Sequence, residues 1–162
     1  MKKERVKTWM HAAVIAALYV VLTEASAMLG MASGVIQVRL SEALTVLPYF
    51  TPAAIPGLFV GCMLSNIVTG CALWDVLFGS LATLLGAWAS YALRRHTYLV
   101  WVPPVVANVL IVPWVLQQVY GVKDALPLLM LSVGVGEVIS CGVFGMLLLQ
   151  ALKRRRNLIF SS

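Results

Sequence analysis

Charged residues are scarce in this chain. Only 11% of its 162 residues are Asp, Glu, Lys or Arg, whereas 61% are hydrophobic, and the mean hydropathy is +0.93. A typical soluble domain carries about 25% charged residues, so this composition excludes a water-soluble fold. The sequence therefore predicts an integral membrane protein.

The motifs of nucleotide and metal chemistry are also missing. No Gly-x-x-x-x-Gly-Lys-Ser/Thr phosphate loop occurs, and no His or Cys cluster has metal-ligand spacing. We expect no metal or other cofactor, and any energy source must come from another protein. Cys62, Cys71 and Cys141 are odd in number and widely spaced, which favours small core thiols over disulfides.

The net charge of +6 does not indicate a nucleic-acid partner. Most basic residues lie in three clusters beside apolar segments, at residues 2–7, 94–95 and 153–156. Such clusters mark the cytoplasmic ends of membrane spans. The clusters therefore predict topology rather than a nucleic-acid surface.

Apolar runs divide the chain into six predicted membrane helices within a single membrane domain. The spans are residues 9–29, 40–50, 54–69, 73–93, 98–119 and 126–152. With both termini cytoplasmic, ten of the twelve basic residues fall inside. An alternative is a cleaved signal peptide ending near Ala25-Ser26-Ala27, which leaves five spans; Glu24 and the length of the apolar run argue against it, but charge parity does not exclude it.

The second span is too short to cross a bilayer alone. Its eleven residues reach about 17 Å as an α-helix, against a hydrocarbon core of about 30 Å, so it must be buried by neighbours or thin the bilayer. The preceding loop, residues 30–38, is expected to dip back toward the membrane at residues 35–38. In the fifth span, Pro103, Pro104 and Pro113 are expected to produce kinks.

Polar residues inside the spans are concentrated in the outer half of the predicted topology, whereas the inner half is almost purely apolar. This asymmetry predicts a polar cavity that opens outward and captures a small solute, since a channel needs polar lining on both sides. The candidate ligand-binding residues are Glu24, Arg39, Glu42, Asn66, Trp74, Asp75, Asn108, Trp114 and Glu137.

Most of these candidates also have a structural interpretation. Glu137 could form an ion pair with Arg39 or a helix-packing hydrogen bond. Glu42 and Asp75 each stand near the start of a predicted helix, where a carboxylate is favourable as a cap. The two tryptophans could stack on a flat ligand or belong to the interfacial aromatic belt.

A stripe of alanines marks the cytoplasmic half of the first span. Two pairs stand four residues apart, and such spacing permits close approach of another helix. That helix is either internal or part of another protein. The alanines are Ala12, Ala13, Ala16 and Ala17.

These features together resemble a known family. The chain is similar to the substrate-binding S components of energy-coupling factor (ECF) transporters, and most of all to the queuosine-precursor transporter family, QueT. The resemblance covers nearly the whole chain. Its most specific parts are residues 38–48 (VRLSEALTVLP), 54–62 (AIPGLFVGC) and 75–84 (DVLFGSLATL).

The resemblance implies uptake rather than catalysis. Relatives bind a vitamin or nucleobase from outside, in a prokaryotic cell membrane. They dock on a membrane T component, here through Ala13 and Ala17 or through Ala12 and Ala16. Two cytoplasmic ATPases then drive release of the solute inside.

The substrates implied by the resemblance are 7-deazaguanines, such as queuine, queuosine or a precursor. One carboxylate can accept both donors of the guanine-like edge, and an amide can donate to the carbonyl. Our hypothesis places Glu137 on the donor pair, Asn108 or Asn66 on the carbonyl, and Trp74 or Tyr49 against the ring. Glu42 or Glu24 would accept a cationic amine, with Arg39 holding that carboxylate.

Three alternatives remain at this point. The chain could be an S component for another flat, vitamin-like solute. It could be a small intramembrane enzyme that uses Glu42 and Glu137 as a carboxylate pair, although no nucleophile and base stand at a recognisable spacing. It could also be an assembly subunit without a ligand, which leaves the outer acidic residues unexplained.

Overall fold

A computed structural model describes residues 2–31 and 36–155, without the side chains of residues 2 and 3. In these ranges the chain is helical and contains no strand, which confirms the predicted all-α class. Residues 32–35 of the predicted re-entrant loop, and Arg156 of the last basic cluster, lie outside the described residues.

The helices follow one another through short connections. The order is α1 (Lys2–Met28), a 3-10 helix (Leu40–Tyr49), α2 (Ala54–Val68), α3 (Leu73–Ala92), a 3-10 turn (Thr97–Leu99), α4 (Val102–Val119) and α5 (Leu126–Glu137). A π-helical segment (Val138–Phe144) then joins α5 to α6 (Gly145–Arg154) without a break.

Four of these segments are long and apolar enough to cross a membrane. They are Glu4–Met28, Leu73–Ala92, Thr97–Val119 and Leu126–Arg154, and the shorter α2 is also apolar. Many large hydrophobic side chains on their outer faces are exposed, including Trp88 at 64% and Leu131 at 65%. Outward apolar faces of this extent suit lipid rather than water.

The short second segment lies in the centre of the bundle. Residues 41–48 are all buried, so its backbone is shielded by neighbouring helices rather than by lipid. This is the first of the two solutions predicted for a segment too short to span the bilayer. The segment is a 3-10 helix rather than an α-helix, and its narrower coil rises about 2.0 Å per residue, which lengthens its reach.

Side-chain contacts join neighbouring segments at both ends of the bundle. At one end, the Lys153 ammonium donates to Thr97 at 3.0 Å and lies 4.8 Å from the ring centre of Tyr49. At the opposite end, the backbone N–H of Ala72 donates to the Tyr120 hydroxyl at 3.0 Å. We call the first the basic end, because Arg94, Arg95 and residues 153–155 lie there.

Helices α1 and α2 approach closely along small residues. A Cβ added at Gly57 would lie 2.7 Å from the Ala12 carbonyl oxygen, and one at Gly61 would lie 3.0 Å from Cα of Ala16. Ala12 and Ala16 are therefore buried inside the bundle, whereas Ala13 and Ala17 are exposed on the outer face of α1. The alanine stripe has one internal half and one external half.

The prolines of the fifth span differ from the prediction. Pro103 and Pro104 do not interrupt a helix; they occupy the first turn of α4, where the missing N–H has no partner to lose. Only Pro113 lies inside the helix. The α-helix itself begins at Val102, and a short 3-10 turn at Thr97–Leu99 forms the first part of the apolar segment Thr97–Val119.

Candidate functional site

Two connected chambers lie between the helices at the end opposite the basic end. The inner chamber has a volume of about 40 Å³ and the outer chamber about 400 Å³. They share the wall residues Gln37, Arg39, Asp75 and Val112. Below them, toward the basic end, the core is apolar and includes Leu44, Leu47, Ala54 and Leu58.

Glu42 stands in the wall of the inner chamber. It lies in the first turn of the 3-10 helix and is only 3% exposed. The Tyr19 hydroxyl of α1 donates to its Oε1 atom. Its Oε2 atom is buried and has no hydrogen-bond partner among the described residues. A buried acceptor without a donor costs about 1 to 3 kcal/mol, so this oxygen is suited to a donor from a ligand.

Glu137 faces the same chamber from the other side of the bundle. It is the last residue of α5, directly before the π-helical segment. The Cys141 thiol donates to its Oε2 atom at 3.3 Å, and Asn108 is within hydrogen-bonding reach. The ligand atoms of Glu42, Glu137 and Cys141 all lie within 4.8 Å of one another, close enough to share a single positively charged group.

Arg39 is positioned by its backbone, just before the 3-10 helix. Its N–H donates to Ser140 Oγ at 3.2 Å, and the next N–H, from Leu40, donates to Ser26 Oγ at 2.9 Å. Hydroxyls from α1 and from the π-helical segment therefore fix the start of the 3-10 helix. Arg39 lines both chambers, with Asp75 beside it in each and with Glu42 in the inner chamber.

A glycine allows the Arg39 segment to lie against α5. A Cβ added at Gly136 would overlap the backbone carbonyl oxygen of Gln37, so no larger residue fits without displacing the segment. At Gly134, one half-turn earlier, an added Cβ meets only the Val109 Cγ2 atom, at 3.4 Å. The two glycines lie on the same helix but differ in the space around them, so Gly134 can serve as a control for substitution of Gly136.

We expect Gly136→Ala to destabilise the protein by about 1 to 3 kcal/mol, the usual cost of overpacking. Gly134→Ala should be neutral or slightly stabilising, because alanine is a better helix former. Thermal unfolding of both variants in detergent checks this. Equal midpoints for the two variants would contradict the close contact between Gln37 and α5.

The outer chamber is closed on one side by a contact between α3 and the end of α4. The Tyr120 hydroxyl donates to Asp75 Oδ2 at 3.1 Å. Asp75 lies in the first turn of α3 but does not cap it, since the N-cap is Ala72 and has no side-chain cap. Asn66 of α2 is 1% exposed and lines this chamber, with its amide near the Asp75 carbonyl oxygen at 3.5 Å.

The structure brings six of the ten predicted ligand-binding residues to the chambers: Arg39, Glu42, Asn66, Asp75, Asn108 and Glu137. The remaining four lie elsewhere. Trp74 and Trp114 line a separate apolar groove of about 630 Å³ between α3 and α4. Tyr49 packs edge-on against Phe50 near Lys153 at the basic end, and Glu24 lines neither chamber.

Several residues of the site were not found from the sequence. Tyr19, Tyr120 and Cys141 contact the carboxylates, and Gln37, Cys62 and Thr83 belong to the wall of the inner chamber. Tyrosines in apolar runs resemble core or interface residues, and the cysteines read as simple core thiols. A usable signal was available only for Gln37, a polar residue in the loop expected to dip back toward the membrane.

Comparison with known proteins identifies the family of this chain. The model of the QueT transporter family matches residues 9–154. The queuosine precursor transporter QueT of Lactococcus lactis subsp. cremoris (strain MG1363) is 37% identical over 86 residues. That match covers 52% of this chain and 50% of the relative, so it spans about half of the relative's length.

No solved structure matches this chain. The family match nevertheless extends over most of the sequence, from the first helix to the last. It includes every residue that lines the two chambers. The family is one of transporters and not of enzymes, which leaves the paired carboxylates without a catalytic interpretation. The chain belongs to the QueT transporter family.

Proposed function

We propose that this chain is the substrate-binding S component of an ECF importer that takes up a queuosine precursor of the 7-deazaguanine class. The observation that carries the proposal is the pair of chambers, which place acidic, basic and amide side chains inside an apolar bundle and at one end of it. Burying such groups is costly, so their concentration at one site favours ligand binding.

The proposed topology has six membrane-crossing segments with both termini in the cytoplasm of a prokaryote. Four long helices, the apolar α2 and the buried 3-10 helix supply the six segments. The basic end would face the cytoplasm, in accordance with the positive-inside rule. The chambers would then open toward the outside, where a precursor is captured.

The chemistry of the walls suits a 7-deazaguanine. The heterocycle presents N–H donors and a carbonyl acceptor on one edge, and carboxylates with amides are the side chains that pair with this pattern. Asp75 and Asn66 of the outer chamber, and Glu137 and Asn108 of the inner chamber, supply both types. The name of the Lactococcus relative points to the same class of solute.

An importer of this kind needs a partner that supplies energy, since the chain has no phosphate loop. We propose that a membrane T component and two cytoplasmic ATPases are the partners. Ala13 and Ala17 support this, because they leave a shallow strip on the exposed face of α1 that another helix can approach. Ala12 and Ala16 are buried against α2 and offer nothing to a partner.

A double substitution separates binding from transport. The A13W/A17W variant should bind 7-deazaguanines with wild-type affinity, because the exposed face is remote from the chambers, but should lose at least about 90% of uptake because bulky side chains block helix–helix approach. The measurements are equilibrium binding in detergent and uptake by cells that express the T component and ATPases.

The matched control is Leu85→Trp, which places the same side chain on an exposed face of α3. It should retain both binding and uptake. Normal uptake by A13W/A17W would contradict the proposal that the T component docks on the exposed face of α1. If folded protein binds another vitamin-like solute but no 7-deazaguanine, the proposed substrate is wrong and the proposed S-component role stands.

A further inference from the structure

A wide apolar groove lies between the outward faces of α3 and α4. It has a volume of about 630 Å³ and shares no wall residue with the two chambers. Trp74 and Phe78 of α3 form one wall, and the face of α4 from Leu110 to Val119 forms the other. Voids in protein interiors seldom exceed one water molecule, about 30 Å³, so a groove of this size is not a packing defect.

The groove follows from the way α3 and α4 are joined. Near the basic end the two helices touch, because a Cβ added at Gly86 would lie 2.7 Å from Cα of Pro104. Near the opposite end the Tyr120 hydroxyl, just after α4, donates to Asp75 in the first turn of α3 at 3.1 Å. Between these contacts the floor of the groove includes Val115, which is only 6% exposed. The groove is therefore a fixed part of the fold.

The groove opens onto the lipid-facing surface of the bundle. On α3, Leu81 and Leu85 follow Phe78 at helical spacing, and all three are exposed. On α4, the exposed Val106 stands one turn before Leu110. The rim is thus continuous with apolar faces that lie in the membrane. Hydrocarbon must fill the groove there, since apolar walls disfavour water and an empty groove would lose dispersion contacts.

The shape of the rim favours a flexible chain over another helix. Membrane helices approach one another along small residues, as Ala13 and Ala17 would permit on α1. Here the rim is made of large side chains, among them Trp74, Phe78 and Trp114, which hold a second helix backbone at a distance. The rings of Trp74 and Phe78 stack 5.8 Å apart and form a smooth wall. A narrow, apolar and adaptable occupant fits this space.

The length of the groove and its polar end match one leaflet of a bilayer. From Leu110 to Val119, α4 rises about 14 Å, close to half of a hydrocarbon core of about 30 Å. Gln118 lies in the wall at the far end, one turn beyond Trp114, and is exposed. Its amide and the Trp114 indole are hydrogen-bond donors, and tryptophan is common at the depth of lipid headgroups.

We infer that the groove between α3 and α4 is a binding site for one phospholipid, with an acyl chain along α4 and the ester and phosphate oxygens beside Gln118. The site is separate from the chambers and goes beyond the proposed function. It also gives Trp74 and Trp114 a ligand other than the transported solute. A bound chain would fill the space between α3 and α4, the helices that carry Asp75 and Asn108.

The test uses a phospholipid whose acyl chains are dibrominated, because bromine quenches the fluorescence of a tryptophan that it contacts. Purified full-length protein, stripped of lipid by detergent exchange, is titrated with dibrominated phosphatidylcholine at a fixed detergent concentration. The wild-type protein should show a saturable component of quenching that fits a single site. W74F/W114F should lose this component, whereas W88F should keep it, because Trp88 is exposed on α3 outside the groove.

Affinity is tested with a matched pair of alanine variants. Trp114→Ala removes part of the rim and leaves Trp74 as the reporter, and it should weaken lipid binding about tenfold, because an indole contacts several methylene groups of the chain. Trp88→Ala makes the same change at a residue of similar exposure and should bind as wild type. If Trp114→Ala does not fold, Leu110→Ala in the groove and Leu85→Ala outside it give the same comparison.

Quenching that rises without saturation would overturn the inference and indicate annular lipid only. Equal affinity of the groove variant and its control would also overturn it, because the chain would then lie elsewhere on the surface. Neither result bears on the proposed function, since binding of 7-deazaguanines depends on the chambers. Saturable quenching that W74F/W114F alone abolishes, with a lower affinity for the groove variant alone, would establish the site.

Discussion

Glu137→Gln is expected to weaken binding of the proposed 7-deazaguanine by about 10- to 100-fold. The carboxylate lies in a buried wall, and losing one charge-assisted hydrogen bond costs about 1.5 to 3 kcal/mol. Glutamine has nearly the same shape, so it can still pack beside Asn108 and Cys141. The measurement is the dissociation constant of the purified variant, obtained by calorimetric titration in detergent.

Stability must be measured on the same sample, because a misfolded variant would also fail to bind. Removing a buried carboxylate should leave thermal unfolding equal to or slightly above wild type, since burying a charge is itself costly. Glu4→Gln makes the same chemical change on an exposed surface and should have no effect on affinity. An affinity within about threefold of the wild-type value would show that the Glu137 carboxylate does not bind the ligand.

The sequence predicted that the polar residues within the spans lie toward one end of the bundle. Ionisable and amide residues are rare in this chain, and each one inside a span has a depth that follows from its distance to the basic clusters. Arg39 and Glu42 were predicted at the outer mouth of the second span, Asn108 near mid-membrane and Glu137 about ten residues into the sixth span. The structure gathers these four residues around one chamber. The depth of a residue follows from its position along its span, so depth can be predicted from the sequence.

Rotation about each helix axis was harder to predict. Trp74 and Asp75 are neighbours in the sequence, so they share a depth, but adjacent helical residues point about 100° apart. Asp75 is buried at the chambers, whereas Trp74 is 57% exposed and lines an outer groove. The hydrophobic pattern does not settle the rotation, because the outer faces contact lipid and the inner faces contact other apolar helices.

The alanines of α1 illustrate the same limit. All four stand at spacings of four residues, and the sequence left internal and external packing open. The structure shows that the two alternatives describe two different pairs. Ala12 and Ala16 face α2, and Ala13 and Ala17, rotated by about 100°, face outward. The four alanines form one stripe in the sequence but lie on two different surfaces of α1.

The least predictable features are the 3-10 helix that carries Glu42 and the π-helical segment that follows Glu137. Prolines and length indicated a short, buried second segment, but not its 3-10 form. The π-helical segment that follows Glu137 had no recognised signal. A π turn holds one more residue than an α turn, so it shifts the side chains that follow, here Ser140 and Cys141, relative to α5. Both residues contact the Arg39 and Glu42 segment.

Gly61→Leu is expected to have the largest effect on the fold. A Cβ at this position would lie 2.7 Å from the Tyr19 Cβ and 3.0 Å from the Ala16 carbonyl oxygen, and neither atom is at the end of a flexible side chain. Helices α1 and α2 would have to separate. Overpacking of this kind costs about 1 to 3 kcal/mol and occasionally more. Because transmembrane helices associate largely through close packing, a lost contact is poorly compensated.

The same substitution should also reduce affinity, because the displaced residue is Tyr19, whose hydroxyl holds one oxygen of Glu42. Denaturation in mixed detergent measures the first effect and ligand titration the second. Val60→Leu, one residue earlier on an exposed face of α2, enlarges a side chain without a neighbouring backbone and should change neither. A Gly61→Leu protein with wild-type stability would show that α1 and α2 are not in contact. Reduced stability with unchanged affinity would instead show that the Glu42 carboxylate keeps its position without Tyr19.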